Sequence, residues 1–217
     1  MRKIFFVLAI VVCGAVPSVA QTADADDYQS WNDVSITVPM TKEFDFYLSG
    51  TLRFGKNITR VNERRIAVGF IYKPNKTWSF QPFYWNILAR NASGRFRTEH
   101  RLNLRATYRF PFKKFTLSHR SWFERRWRQP QNSWRYRPSL TLEKDIKKIV
   151  PGAKFFITEE VFYDSILKKF SRNRLSFGIN KTLTKNLSLD IFYLRQNDGF
   201  SRPGDLNVIG TSWRIKF

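Results

Sequence analysis

Cysteine is nearly absent: Cys13 is the only one in 217 residues. It sits in a segment expected to be cleaved, so neither disulfides nor thiol chemistry are expected beyond it. A lipoprotein anchor would need a small residue before the cysteine, and Val12 stands there. Histidine is equally scarce. His100 and His119 are the only two, which gives no ligand spacing for a metal. No glycine-rich phosphate loop is present either, so no cofactor is expected. Acidic residues are few, 17 against 38 Lys and Arg, for a net charge of +21. Such an excess calls for an anionic partner. Long apolar runs are missing after Val12, because charges interrupt each one. A membrane helix needs ~20 apolar residues. Any crossing must therefore be made by a closed β-barrel, the other structure that satisfies its backbone in hydrocarbon.

The one apolar run, Ile4–Val12, follows Arg2 and Lys3 and precedes the small residues Ser18-Val19-Ala20. This is the layout of a secretory signal peptide. The expected organisation is a leader at 1–20 and one barrel domain at 21–217. Export argues against nucleic acid as the anionic partner.

The remainder alternates with period two, which places odd and even residues on opposite faces of a strand. In Phe96–Phe110, one face carries Phe96, Leu102, Leu104, Tyr108 and Phe110, and the other carries Arg97, Glu99, Arg101, Arg105 and Arg109. Phe44–Phe54, Trp134–Glu143, Arg174–Asn180 and Leu187–Leu194 repeat the pattern. Weaker candidates are Trp31–Pro39, Asn62–Lys73, Thr77–Arg90, Phe115–Arg128, Ala153–Asp164 and Asp205–Phe217. The phase of Thr77–Arg90 is ambiguous, since aromatics occupy both faces. Pro82 and Pro138 imply bulges or strand ends. Turns near 40–43, 74–76, 111–114 and 184–186 read as short. Connections near 55–61, 91–95, 129–132, 165–170 and 197–204 read as longer, the pattern of periplasmic turns and outer loops. The candidates number eleven, whereas bacterial single-chain barrels are normally even. The expected fold is thus a closed antiparallel transmembrane β-barrel of 10–12 strands, twelve favoured.

A soluble sandwich also alternates. Strand length separates the two, since several segments reach eleven residues, enough for a tilted crossing, against ~5–6 in soluble proteins. Aromatics, 17% of the chain, gather at segment ends as two girdles. Phe44, Tyr72, Trp78, Phe110, Phe112, Phe115 and Phe217 form one. Phe54, Phe96, Trp127, Trp134 and Tyr163 form the other. At the C-terminus, Ile209, Trp213, Ile215 and Phe217 alternate and end in an aromatic residue, similar to the strand signal read by the outer-membrane assembly machinery.

The opening Trp31-Asn32-Asp33-Val34-Ser35-Ile36, the alternation ending in Arg53-Phe54, and the return Gly69-Phe70-Ile71-Tyr72 resemble a family of outer-membrane barrels labelled a domain of unknown function. That resemblance implies the barrel fold and no particular activity. In size and inward arginines the chain is also similar in architecture to small porins for acidic oligosaccharides.

The face opposite the apolar rows concentrates arginine. The candidate lumen anion-binding residues are Arg97, Arg101, Arg105, Arg109, Arg120, Arg126, Arg128, Arg135 and Arg137. Arg53, Arg65, Arg174 and Arg214 share their phase. The inward acids are Asp45, Glu63, Glu99, Glu124, Glu143 and Asp190. Two readings of this wall stand side by side. It is a pore or pocket for small anionic solutes, which guanidinium geometry suits, or it is a plug of Arg and Glu pairs filling a narrow lumen. The expected partners are the lipid bilayer and lipopolysaccharide, the latter through loop cations such as Lys168 and Lys169. No catalytic residue is expected. A hydrolase would need His100 or His119, and both fall on the lipid-facing phase. The alternatives to solute passage are a non-conducting structural barrel and an outer-membrane hydrolase.

Overall fold

The structure is a computed structural model and describes residues 26–91, 93–201 and 203–217. The expected leader lies outside the described residues. Eleven strands form one closed barrel: β1 (Asp27–Pro39), β2 (Phe44–Gly55), β3 (Arg60–Tyr72), β4 (Trp78–Arg90), β5 (Phe96–Phe110), β6 (Thr116–Trp127), β7 (Ser133–Asp145), β8 (Ala153–Asp164), β9 (Lys169–Thr182), β10 (Leu187–Asp198) and β11 (Leu206–Lys216). Consecutive strands pair antiparallel. The barrel closes by pairing β1 with β11 in parallel, from Asp27↔Leu206 to Thr37↔Lys216.

That closure answers the parity problem differently from the twelve strands favoured above. Every one of the eleven candidates is in the wall, and β1 begins at Asp27 rather than Trp31. An odd strand count puts the two chain ends at opposite mouths, designated here the Asp27 end and the Phe217 end. The expected alternation of loop length is not found. Strands extend into the longer connections, so 56–59, 128–132 and 165–168 are as short as the turns 40–43 and 111–115 opposite.

Odd and even residues separate sharply. On β3, Ile66 is 65% exposed while its neighbour Ala67 is 0%. Phe70, Leu102, Leu104, Phe177, Ile179, Ile191 and Ile209 are likewise exposed on the outer face. An apolar coat around the whole circumference suits hydrocarbon, where paired strands leave no polar backbone free. The barrel spans a lipid bilayer. At the Phe217 end the coat is bounded by a run of contacting rings, with centroid separations of 4.6 Å for Phe44–Tyr72, 6.4 Å for Tyr72–Phe80, 5.7 Å for Phe80–Trp78 and 4.8 Å for Trp78–Tyr108. Tyr108, Phe110, Phe112 and Phe115 continue it. At the Asp27 end Phe123, Trp134, Tyr163 and Phe170 form the counterpart.

Both internal prolines stay within the barrel wall. Pro82 keeps its pairing with Leu104, but the ladder toward β3 skips Phe70 and Ile71. Pro138 keeps Ser121, and the ladder toward β8 skips Arg137 and Pro138. Each proline lacks an N–H and so interrupts one side only. The bulges lie elsewhere, at Arg53/Phe54 and Phe162/Tyr163.

Candidate functional site: the luminal arginine layer

The odd residues of β4 settle its ambiguous phase. Phe83, Trp85 and Ile87 point inward and are buried. With Ala67 and Trp122 they form one apolar cluster inside the barrel. Trp31, Leu194, Leu206 and Val208 form a second. The sequence does not single these side chains out as interior residues: aromatics occupy both faces of Thr77–Arg90, so alternation alone assigns that strand no phase.

Arginines pack onto these rings. The Arg105 guanidinium carbon lies 3.6 Å from the Trp122 ring centroid and 4.4 Å from that of Phe83. Arg137 lies 3.7 Å from Trp122 and 4.4 Å from Phe162. Arg53 stacks on Trp31 at 3.5 Å, and Arg174 lies 4.8 Å from the same ring. A guanidinium is weakly hydrated and planar, so it loses less than an ammonium when laid on an aromatic face.

Carboxylates knit the guanidiniums together. Glu124, 0% exposed, accepts from Arg137 at 2.6 Å and from Arg101 at 3.4 Å. Glu99 accepts from Arg101 at 2.7 Å and from Arg126 at 2.6 Å. Glu63 lies 3.2 Å from Arg53 and accepts from Arg65 at 2.6 Å. Glu160 holds Arg137 at 2.8 Å and Arg120 at 2.7 Å. Asp164 takes Arg135 at 2.9 Å. Glu160 and Asp164 are missing from the inward acids expected above. Their strand was left without a phase, and Glu159-Glu160 offers a carboxylate to either face. The inward position of Phe162 between Glu160 and Asp164 is the signal that fixes it.

This layer occupies the middle of the lumen. Asn103, 0% exposed, accepts from the Trp122 indole at 3.0 Å inside it. Of the two readings left open by the sequence, the pairing here has the form of the Arg and Glu plug. Arg101, Arg126 and Arg137 are buried and paired, because inward side chains of the same and nearby strands β5–β8 crowd together and fill the interior of a small barrel. Arg135 and Arg120 are paired at the layer's edges. Arg105 is the exception. Among the described residues no carboxylate lies within ion-pair distance of it, its Nη1 reaches only Gln81 at 3.4 Å, and its Nε is buried without a partner.

Three expected residues stand outside the layer. Arg97 is exposed at the Asp27 mouth, and Arg128 lies just beyond the end of β6. Arg109 is exposed at the Phe217 mouth, four residues along β5 from Arg105. There it lines a cavity of about 750 Å³ with Lys42, Lys73, Lys76 and Lys216, against Glu43 and Asp45. Asp45 is neutralised by Lys73 at 2.6 Å. The vestibule is thus basic and leads toward Arg105.

Ile209, Trp213, Ile215 and Phe217 lie on the outward phase of the last strand, with Phe217 69% exposed. The histidines also face outward. His100 contacts the Tyr84 hydroxyl. His119 Nε2 lies 3.2 Å from Ser121 Oγ, which is 3.0 Å from the Tyr136 hydroxyl. Imidazole and hydroxyl are adjacent there, but no outward residue of β5, β6 or β7 is a carboxylate that could orient the ring.

Two solved porins share the fold. A structure described as the NanC porin aligns with a TM-score of 0.53 at 13% identity, covering 88% of this chain and 97% of that one. The KdgM porin in complex with disordered oligogalacturonate aligns with a TM-score of 0.50 at 12% identity, covering 78% and 90%. These identities establish a common barrel architecture. No curated protein matches the sequence. Residues 28–207 match the family described as "Protein of unknown function (DUF2490)", and this porin-like barrel belongs to that family.

Proposed function

We propose that the protein is an exported barrel of the bacterial outer membrane that captures small anionic solutes in its basic vestibule and passes them through the arginine layer. Arg105 carries the reading. A half-buried guanidinium without a carboxylate partner, on the vestibule side of the layer, retains charge and an unused donor for an incoming anion. Arg109 and the mouth lysines supply the field that draws the anion in. Arg101, Arg120, Arg126, Arg135 and Arg137 form the constriction, while Arg97 and Arg128 act at the far mouth. In this reading the Phe217 end is periplasmic, residues 1–20 direct export, and the outward row ending at Phe217 is read by the assembly machinery. The porin-like fold supports a passage for small solutes.

The packed layer favours a second reading, a barrel that spans the membrane without conducting. Planar-bilayer recordings of the purified protein separate the two. Anion-selective steps support passage. Silence at high protein dose, from the wild type and from a variant with the layer opened, supports the second reading and rules out the first. The same preparation tested against ester substrates addresses a hydrolase, whose turnover would have to vanish in His119→Ala.

A further inference from the structure

The outer face of β2–β7 carries a one-sided charge pattern. By the observed registers no Asp or Glu occupies an outward position on these six strands. Asp45, Glu63, Glu99, Glu124 and Glu143 all point inward. Cations do face outward: Arg64, Arg90 and Arg125 toward the Asp27 end, and Lys144 toward the other. Arg64 is exposed between Leu52 and Leu88 on the neighbouring strands. Arg125 is exposed between Leu102 and Trp134, two residues before the end of β6. Among the described residues neither has a carboxylate within ion-pair distance. Arg90 spends Nε on the Val61 carbonyl at 2.8 Å and packs 4.2 Å from the Phe96 ring. Arg64 also approaches that ring, at 5.5 Å.

The opposite side of the barrel is built differently. Its outward Arg195 donates to Asp26 at 2.6 Å and to Asp205 at 2.9 Å, so the chain supplies its own counter-ions. Lys169 there packs its ammonium 4.1 Å from the Phe200 ring. The contrast makes Arg64 and Arg125 informative. A charge at the edge of hydrocarbon is expensive unless paired, and here the protein offers no partner. The anion available at that depth is the phosphate of a lipid headgroup. Guanidinium binds phosphate bidentately, and the arginine stem lies along apolar surface while its head reaches the interface.

We infer that Arg64 and Arg125, with Phe96 on β5 between their strands and Trp127 beside Arg125 on β6, form a docking face for phosphorylated lipid headgroups on the β3–β6 side of the barrel. The inference rests on the membrane reading of the outer face and is independent of whether the lumen conducts.

Native mass spectrometry of the detergent-solubilised full chain tests it, with lipid A, phosphatidylcholine and inorganic phosphate as separate probes. Lipid A is expected to be retained, phosphatidylcholine to wash off, and millimolar inorganic phosphate not to displace the bound lipid A. Arg64→Gln and Arg125→Gln should each weaken lipid A retention about fivefold, and the pair roughly 25-fold, at the usual worth of one basic residue beside anionic lipid. Arg64→Lys should lose less than Arg64→Gln, and Lys144→Gln should lose nothing. Heat-modifiable gel mobility confirms that each variant is folded. Unchanged retention in the double variant, or equal retention of both lipids, overturns the docking face and leaves the barrel intact. A protein that stays soluble without detergent and retains no lipid overturns both.

Discussion

Truncating Trp122 to alanine opens the lumen within the arginine layer. Its ring is buried, sandwiched by the Arg105 and Arg137 guanidiniums at 3.6 and 3.7 Å, and tied to Asn103. Removing so large a core side chain costs about 3–5 kcal/mol in a dry protein. Leaving the Asn103 oxygen unpaired would add about 1–3 kcal/mol. Here polar groups line the gap, so waters of about 30 Å³ each can fill it and satisfy Asn103, and the net cost should fall below that sum. The water column would pass the unpaired Arg105. A unit charge acts on a monovalent ion 4 Å away with about 1 kcal/mol in bulk water. That enriches anions about fivefold and depletes cations by the same factor, for an anion-to-cation ratio of roughly 25 near the constriction. In planar bilayers Trp122→Ala should therefore show larger steps than the wild type, with a reversal potential on the anion side. A folded variant that is no more conductive than the wild type, or one that prefers cations, would refute the assignment of this layer as the barrier.

Other outcomes follow from the same geometry. Neutralising Arg101, Arg105 and Arg137 together in the Trp122→Ala background should lower anion selectivity, read from the reversal potential; unchanged selectivity would remove the arginines from the filter. Glu160→Gln takes a shared partner from Arg137 and Arg120 and should lower the unfolding free energy by about 3–5 kcal/mol, measured by urea titration in lipid vesicles. Gly69→Ala should destabilise the barrel, since a β-carbon there would collide with Phe83 and the Pro82 carbonyl, whereas Gly50→Ala, which meets nothing, should not. Because eleven strands separate the termini, an epitope beside Asp26 and one after Phe217 should label from opposite faces of the membrane; labelling from one face would contradict the parallel closure.

Much of the fold was legible in the chain. Period-two alternation from Phe44–Phe54 to Ile209–Phe217 follows from strand geometry, which is local, and eleven candidate strands became eleven strands. The rim aromatics and the inward phase of most arginines follow from the same rule. Parity misled because it rests on hairpins alone, and whether β1 meets β11 in parallel is a contact between residues some 180 positions apart. Proline placement was half legible. The missing N–H was certain from the sequence, but which neighbour loses its ladder depends on the side each residue faces.

The sequence by itself determined that two faces of each strand meet different surroundings, and that the inner one is basic, because a strand's side-chain period is fixed by its backbone. Only the tertiary structure decided what the inner face does with its charge. Strand pairing and register set which inward side chains lie side by side, so that Trp31, Trp85, Trp122 and Phe162 carry the guanidiniums of neighbouring strands while Glu63, Glu99, Glu124 and Glu160 bind them. Which arginine is left over, Arg105, depends on which inward side chains nearby strands bring together, and no pattern along one strand contains that information.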